Sequence, residues 1–326
     1  MRPALSVILL TTLIGAGQGL FLALFTVQSY ALVGLLPPVA EAAFYFQGSV
    51  IALALLAGGL VASFFHLGRP ERAWRSATQW RTSWLSREVI VLPAFMAVVA
   101  LYALAHGMGW TQAIVTLPQG VPIDSSVVAG AFGTVLAFAL FVCTGMVYAC
   151  LRFLVEWHTP LTPVNYILLG GASGFTLAAA LAALSVPKLV GFLSGWAILI
   201  TLLAAIGRIA ALWRNARLTP RSTVQSAIGV KHPAVVQKSQ GFMGRSFNTR
   251  EFFHGAPARR LHLAKHAFLV LAFGLPVVLL AAGRDAPSAT LLLSAFGVQF
   301  GGLLIERWFF FAQARHPQNL YYQAAA

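Results

Sequence analysis

The sequence predicts an all-α integral membrane protein with eight transmembrane helices, and three observations support this fold class. First, 59% of the 326 residues are apolar and only 9% are charged, whereas a soluble domain carries roughly 25% charged residues. Second, the apolar residues form long blocks, and a helix needs about 20 such residues to cross a bilayer. Third, the blocks lack the alternation of a membrane barrel. We expect one membrane domain over residues 1–326, built as two four-helix bundles.

The apolar blocks and the prolines between them place the eight spans. Proline does least harm in connections, where its missing N–H is not needed. The predicted spans cover residues 5–30, 42–65, 87–107, 126–151, 164–185, 188–211, 261–282 and 288–312. Small residues allow membrane helices to approach closely. Close approach is therefore expected at Gly15, Gly17 and Gly19 in the first span and at Gly170, Gly171 and Gly174 in the fifth.

The basic residues are divided unequally between the two sides of this domain. Of the 22 Lys and Arg residues, all but Lys188 and Arg284 fall on one side. Lys and Arg accumulate on the cytoplasmic side of membrane proteins. The net charge of +14 therefore indicates orientation rather than nucleic-acid binding. Both termini are expected in the cytoplasm of a multi-pass protein of the bacterial inner membrane.

The connection between the second and third spans, residues 66–87, concentrates side chains that carry chemistry. With the next residue it holds five arginines, three tryptophans, two glutamates and one histidine. Gly68 is expected to end the second span in a left-handed conformation. Pro70 suits the first turn of a new helix, so a short helix at the membrane interface is expected to follow.

His66 and Glu88 reach the same membrane face from consecutive antiparallel spans. Ser83 or Ser86 is expected to cap the third span, so that Glu88 lies in its first turn, where the helix dipole favours a carboxylate. A histidine titrates near neutral pH, and together with a carboxylate it can exchange protons with a bound ring oxygen. Arginines and tryptophans can close such a pocket over an aromatic head group. This combination predicts a quinone site on the cytoplasmic side.

Each of these residues also has an ordinary structural explanation. Arginines in a cytoplasmic connection orient the chain, and interfacial tryptophans belong to an aromatic belt. Glu88 can be only a helix-dipole partner, and His66 can simply end a helix. A similar choice arises at Glu306 beside Arg307, where a terminal ion pair and a proton path both fit. The clustering supports the site more than any single residue does.

A haem b site is the second hypothesis for the histidines. Bis-histidine ligation needs ligands inside facing spans, whereas the candidates lie at or just outside span ends: His66, His158, His254, His262 and His266. The two cysteines, Cys143 and Cys150, cannot by themselves hold an iron–sulfur cluster or zinc. We therefore expect no haem and no metal in this chain, and any iron–sulfur chemistry belongs to another subunit.

The longest connection, residues 213–260, is basic and polar but rich in aromatic residues. Its aromatic content is too high for a purely disordered linker, so we expect it to pack against a partner subunit. A solvated loop on the membrane surface is the alternative. The residues expected to dock are Phe247, Asn248, Arg250, Phe252 and Phe253.

Two motifs resemble those of a known family. The stretches His66-Leu-Gly-Arg-Pro-Glu-Arg-Ala-Trp74 and Trp84-Leu-Ser-Arg-Glu88 resemble signature motifs of the dimethyl sulfoxide reductase membrane anchor subunits. The resemblance covers the eight-span plan, and the segment Phe247–His254 is also similar. It implies that the quinone site involves His66, Gly68, Arg72 and Glu88, all of which are present.

The same resemblance implies a complex of three different subunits. A catalytic subunit would carry a molybdenum bis-pyranopterin guanine dinucleotide cofactor, and a four-cluster ferredoxin-like subunit would carry the iron–sulfur clusters. The anchor would exchange electrons with the membrane pool of ubiquinone or menaquinone and hold no haem. The sulfur substrate would bind another subunit, so no residue of this chain is expected to be catalytic toward it.

The family has branches that differ in substrate and sidedness. Some members anchor reductases of S- or N-oxides, with catalytic subunits outside the cytoplasm. Another branch contains the membrane subunit of a cytoplasmic sulfite dehydrogenase complex, which passes electrons from sulfite to quinone. Because the charge pattern places His66 and Glu88 on the cytoplasmic side, the hydrophilic partners are expected there as well. This favours the sulfite-oxidising branch.

The sequence thus predicts the membrane anchor and quinone-binding subunit of a molybdenum/iron–sulfur oxidoreductase. His66 is expected to hydrogen-bond a quinone carbonyl, and Glu88 to relay protons to the cytoplasm. The residues expected to hold that pair or wall the pocket are Arg72, Arg87, Trp80 and Trp84. The alternatives are the anchor of an S- or N-oxide reductase that takes electrons from quinol, and a non-redox transporter or scaffold.

Overall fold

The prediction of eight spans is confirmed. A computed structural model describes residues 3–37, 42–117, 120–219, 222–235, 258–285 and 287–317. Within these ranges, eight apolar helical segments are long enough to cross a membrane. Each of them coincides with one predicted span, and the largest shift of an end is at the sixth, which continues five residues further than predicted.

The spans and the short elements between them follow in chain order. The first six spans are α1 (Leu5–Leu32), α2 (Ala42–Phe64), α3 (Trp84–Gly107), α4 (Ser125–Ala149), α5 (Leu161–Ser185) and α6 (Val190–Ala216). The seventh span joins α8 (Ala258–Leu269), a π-helical turn (Val270–Gly274) and α9 (Leu275–Asp285), and the eighth is α10 (Ala289–Ala312). The short elements are two 3₁₀ helices (Pro70–Ala77 and Pro187–Leu189), α7 (Val224–Ile228) and an antiparallel pair, β1 (Val115–Thr116) and β2 (Pro122–Ile123).

Helix α1 packs against α2, α4, α5 and α10, and its crossing with α5 depends on glycine. A Cβ atom on Gly19 would overlap the carbonyl of Gly170, and one on Gly174 would overlap the backbone of Gly19. The close approach that the glycine clusters predicted is therefore confirmed at this crossing. The backbones of the two helices meet without side chains between them.

The π-helical turn in the seventh span has a local cause in proline. Pro276 has no N–H to bond the carbonyl of Ala272 four residues earlier, and proline within a helix commonly disturbs it at this point. Gln299 on α10 donates a hydrogen bond of 3.3 Å from Nε2 to that carbonyl and one of 3.0 Å to Oγ1 of Thr201 on α6. The amide therefore ties three helices together at the irregular turn.

Several helix ends meet at one face of the bundle, which we call the His66 face. Helices α3 and α5 begin there, and α2, α4, α6 and α10 end there. The turn between α4 and α5 is fixed at this face by Trp157, whose Nε1 donates a 3.0 Å hydrogen bond to the carbonyl of Phe310. Arg214 on α6 donates a 3.1 Å bond to the carbonyl of Val155 in the same turn. The ends of α4, α5, α6 and α10 are thus joined at the His66 face.

Candidate functional site

Glu88 lies inside the bundle near the start of α3. Oγ of Ser83 accepts a hydrogen bond from the backbone N–H of Ser86, which confirms the predicted cap and fixes where the helix begins. The glutamate is only 9% exposed. Its Oε1 accepts a hydrogen bond of 2.6 Å from Oγ1 of Thr144 on α4. Oε2 makes no hydrogen bond to any described residue, so one carboxylate oxygen is available to a ligand.

Arg87 fixes the connection onto the start of α3. Its Nε donates a 2.9 Å hydrogen bond to the carbonyl of Trp80, and its Nη2 donates a 2.8 Å bond to the carbonyl of Arg81. The guanidinium also lies 4.3 Å from the centre of the Trp84 ring. Because α3 begins at Trp84, both Trp84 and Arg87 belong to the helix, and the irregular part of the predicted 66–87 connection ends at Ser83.

His66 lies in the turn that follows α2 and is exposed. No hydrogen bond or ion pair joins its ring to Glu88 in the described part of the chain. Partial burial lowers the pKa of the His66 imidazole below its usual value of 6.5. The ring is therefore mostly neutral at pH 7. The two residues share the His66 face of the bundle, but the structure contains no direct contact between them.

The expected left-handed conformation of Gly68 is wrong, because its φ is not positive. The end of α2 is closed differently: the N–H groups of Phe65, His66 and Leu67 each bond the carbonyl three residues earlier. Such tightening satisfies the last carbonyls of a helix without a left-handed residue. Gly68 itself is exposed, and a Cβ atom there would meet nothing within 4 Å.

Arg72 and Trp80 lie on the outside of the connection. Arg72 belongs to the 3₁₀ helix that begins at Pro70, so the predicted restart of the chain as a helix is confirmed. Its Nε lies 3.8 Å from Oε1 of Glu71, and both side chains are exposed. Trp80 is 52% exposed and contacts Arg81 at 5.2 Å. Of the predicted site residues, the structure therefore groups Trp84, Arg87 and Glu88 and leaves Arg72 and Trp80 at the surface.

The residues predicted to dock a partner lie outside the described part of the chain, as does His254. The connection itself starts later than residue 213, because α6 continues through Ala216. It also contains α7, which is closed by a capping box between Thr223 and Ser226.

Two buried features escaped the sequence analysis. Thr144 had no sequence signal that pointed to Glu88. Arg208 was counted as a residue of the cytoplasmic connection, but α6 is long enough to bury it, and it pairs with Glu306 at 2.6 Å. Arg307 lies 3.5 Å from the other oxygen of Glu306, so the expected neighbouring pair is the weaker of the two. Charged residues inside spans usually pair with one another, which is the signal that could have found Arg208.

The histidines at the span ends contact backbone carbonyls. Nδ1 of His158 lies 2.6 Å from the carbonyl of Ala149, and Nδ1 of His266 lies 2.8 Å from that of His262. Among the described residues, no group of three or more His, Cys, Asp or Glu side chains could hold a metal ion. The absence of haem stays a prediction.

Comparison with known proteins places this chain among membrane anchors. The sequence model of the family described as "DMSO reductase anchor subunit (DmsC)" matches residues 1–322. The chain belongs to the DMSO reductase anchor subunit family. A relative from Allochromatium vinosum, which is a subunit of sulfite dehydrogenase, is 57% identical over 326 residues, and this covers 100% of both proteins. The resemblance that the motifs indicated is thereby confirmed, and a stand-alone transporter does not fit an anchor subunit.

Proposed function

We propose that this anchor subunit binds a quinone near Glu88 and passes electrons between an iron–sulfur partner and the membrane quinone pool. The electrons come from sulfite oxidation on a molybdenum catalytic subunit. The name of the sulfite dehydrogenase relative, which shares 57% of its residues over the full length, supports the substrate. The molybdenum cofactor and the iron–sulfur clusters belong to the partner subunits in this proposal.

One observation carries the proposal: a carboxylate that is buried within the bundle and keeps one oxygen free. Burying such a group is costly without partners, yet only Oε1 of Glu88 is hydrogen-bonded, by Thr144. A carboxylate in this position is available for proton exchange with a ligand that enters from the membrane. Arg87 and Trp84 beside it offer a cationic and aromatic wall for a quinone ring.

Reduction of a quinone takes up two electrons and two protons. The iron–sulfur partner supplies the electrons. His66 donates a hydrogen bond to one carbonyl oxygen, and Glu88 supplies a proton to the ring and is then reprotonated. Arg87 holds the 78–83 turn and Trp84 in place, and Trp80 and Arg72 close the pocket from its outer side. Gly68 leaves room for a ligand, because no atom lies where its side chain would be.

The charge asymmetry supports the cytoplasm as the location of the His66 face and of both termini. All Lys and Arg residues except Lys188 and Arg284 belong to that side. Helices α1–α4 form one four-helix group in this proposal, and α5, α6, the seventh span and α10 form the other, in keeping with the packing of α2 on α3, α3 on α4, α5 on α6 and α6 on α9. A reporter enzyme that is active only in the periplasm should be inactive when fused after Ala326.

The second candidate is the anchor of an S- or N-oxide reductase, which oxidises quinol instead. The family description names dimethyl sulfoxide reductase, which favours this direction. In that case the same residues would remove protons from quinol. Reduction of sulfoxide by the purified complex, without oxidation of sulfite, would favour this candidate.

The principal experiment uses the purified complex and the substitution His66→Arg. Quinone-linked turnover should be lost, while turnover of the catalytic subunit with an artificial dye should persist. His262→Arg is the matched control, because His262 is also an exposed histidine at the His66 face. If quinone-linked turnover persisted in His66→Arg, the assignment of the site would be wrong.

A further inference from the structure

A second group of charged residues is buried at the His66 face, in the other half of the bundle. Arg208 on α6 and Glu306 on α10 are 2% and 1% exposed, and Nε of Arg208 lies 2.6 Å from Oε1 of Glu306. The guanidinium of Arg307 lies 3.7 Å from the centre of the Tyr166 ring. Such groups are costly to bury, and Glu88 does not contact them directly. Their presence requires an explanation of its own.

A small polar cavity lies beside this group. Its volume is about 10 Å³, close to the space that one water molecule needs. Several buried polar atoms of its lining make no hydrogen bond: Oδ1 of Asn165, the hydroxyl of Tyr166, Nη2 of Arg208, Oε2 of Glu306 and Nε2 of Gln313. This set contains both donors and acceptors. An anion could satisfy only the donors, so the cavity is suited to water, which both donates and accepts.

The cavity connects the interior with the surface of the protein. Glu156, which lines it, is half-buried and lies in the turn between α4 and α5. Asn215 fixes this turn by a 3.4 Å hydrogen bond from Nδ2 to the carbonyl of Glu156. A carboxylate therefore stands at the outer end of the cavity, and the carboxylate of Glu306 stands at its inner end.

On the inner side, two tyrosines lead from the cavity toward Glu88. The rings of Tyr166 and Tyr148 are stacked, with centres 5.8 Å apart and planes at 11°. Tyr148 is one helical turn beyond Thr144 on α4, so both side chains lie on the same face of the helix. Both tyrosines lie within electrostatic reach of Glu88. Polar side chains thus form a row from Glu88 to the cavity through apolar surroundings.

We propose that this row is the route by which protons reach Glu88 from the aqueous phase at the His66 face. Protons enter at Glu156, pass along water in the cavity that Glu306 and Arg208 order, and continue by the hydroxyls of Tyr166 and Tyr148. Two protons travel inward for each quinone that takes two electrons from the iron–sulfur partner. The inference rests on the proposed function, because it needs a proton-consuming reaction at Glu88.

The experiment removes hydroxyl groups and keeps the rings. Tyr166→Phe and Tyr148→Phe are made in the whole complex, with Tyr30→Phe as the control, since Tyr30 lies at the opposite end of α1 and packs on Phe192. Each of the first two should slow quinone-linked turnover about tenfold or more and raise the solvent deuterium isotope effect. Dye-linked turnover and the KM for quinone should stay unchanged. Glu156→Gln should produce the same pattern.

The outcomes separate this route from the proposed function. Unchanged quinone-linked turnover in both tyrosine variants, together with its loss in His66→Arg, would overturn the route and leave the quinone site intact. Persistence of turnover in His66→Arg would overturn the site itself. A raised KM without an isotope effect would also overturn the route, because it would indicate a role in binding.

Discussion

Thr144 on α4 donates its hydroxyl to Oε1 of Glu88 on α3 over 2.6 Å. The bond orients the buried carboxylate across the boundary between two spans and leaves its other oxygen unbonded. A carboxylate inside a bundle needs such a partner, and a threonine supplies one without adding a charge. The arrangement sets the position from which Glu88 would meet a ligand.

Thr144→Val should therefore impair the site while keeping the shape of the side chain. A hydrogen bond to a charged group contributes about 1.5–3 kcal/mol, so quinone-linked turnover should fall at least about tenfold, and dye-linked turnover should not change. Thr134→Val is the matched control, because Thr134 bonds only the carbonyl of Gly130 in its own helix. Equal turnover in the two variants would show that the bond does not matter for the reaction.

Arg87→Lys should loosen the connection without changing the charge. Lysine cannot reproduce the fork that bonds the carbonyls of Trp80 and Arg81. The peptide bond after Arg81 should become accessible, so trypsin should cleave there faster in the detergent-solubilised complex, and the KM for quinone should rise. The control is Arg75→Lys, whose side chain contacts only Trp74, at 5.5 Å. Cleavage at the same rate in both variants would contradict a role of Arg87 in holding the turn.

The lowered pKa of His66 predicts a pH dependence for quinone reduction. If the protonated ring donates to the reduced quinone, the active form is lost as the pH rises through this pKa, which lies below 6.5 because of partial burial. The ratio of quinone-linked to dye-linked turnover should then fall about tenfold per pH unit above the pKa. His66→Gln should remove this slope. The same slope in the variant would assign it to another group.

The spans and the motif residues could be predicted from the sequence, but the partners of the buried polar groups could not. Long apolar blocks define the helices, and the charges of the 66–88 segment stand out against them. Threonines inside spans, by contrast, usually bond a carbonyl of their own helix, as Thr26, Thr134 and Thr176 do. Nothing in the sequence distinguishes Thr144 from these, because only the packing of α3 on α4 brings Glu88 within its reach.

The burial of Arg208 was missed for a related reason. An arginine near the end of an apolar block normally marks where the span meets water, and that assumption ended the sixth span early. The structure continues α6 to Ala216 and places Glu306 of α10 opposite Arg208. The pairing depends on a contact between helices that are far apart in the chain. Periodicity along one helix therefore contains no information about it.

The crossing of α1 and α5 allows a test of the fold itself. Gly174→Ala would place a Cβ atom against the backbone of Gly19, where no side chain can move aside. Overpacking of this kind costs about 1–3 kcal/mol. Gly171→Ala is the control, since its Cβ would lie 3.4 Å from Cγ2 of Ile200, which is ordinary contact. Alanine favours a helix equally at both positions, so the difference in thermal unfolding temperature between the two variants isolates the crossing. A lower unfolding temperature is expected for Gly174→Ala alone, and equal temperatures would show that the two backbones do not lie this close together.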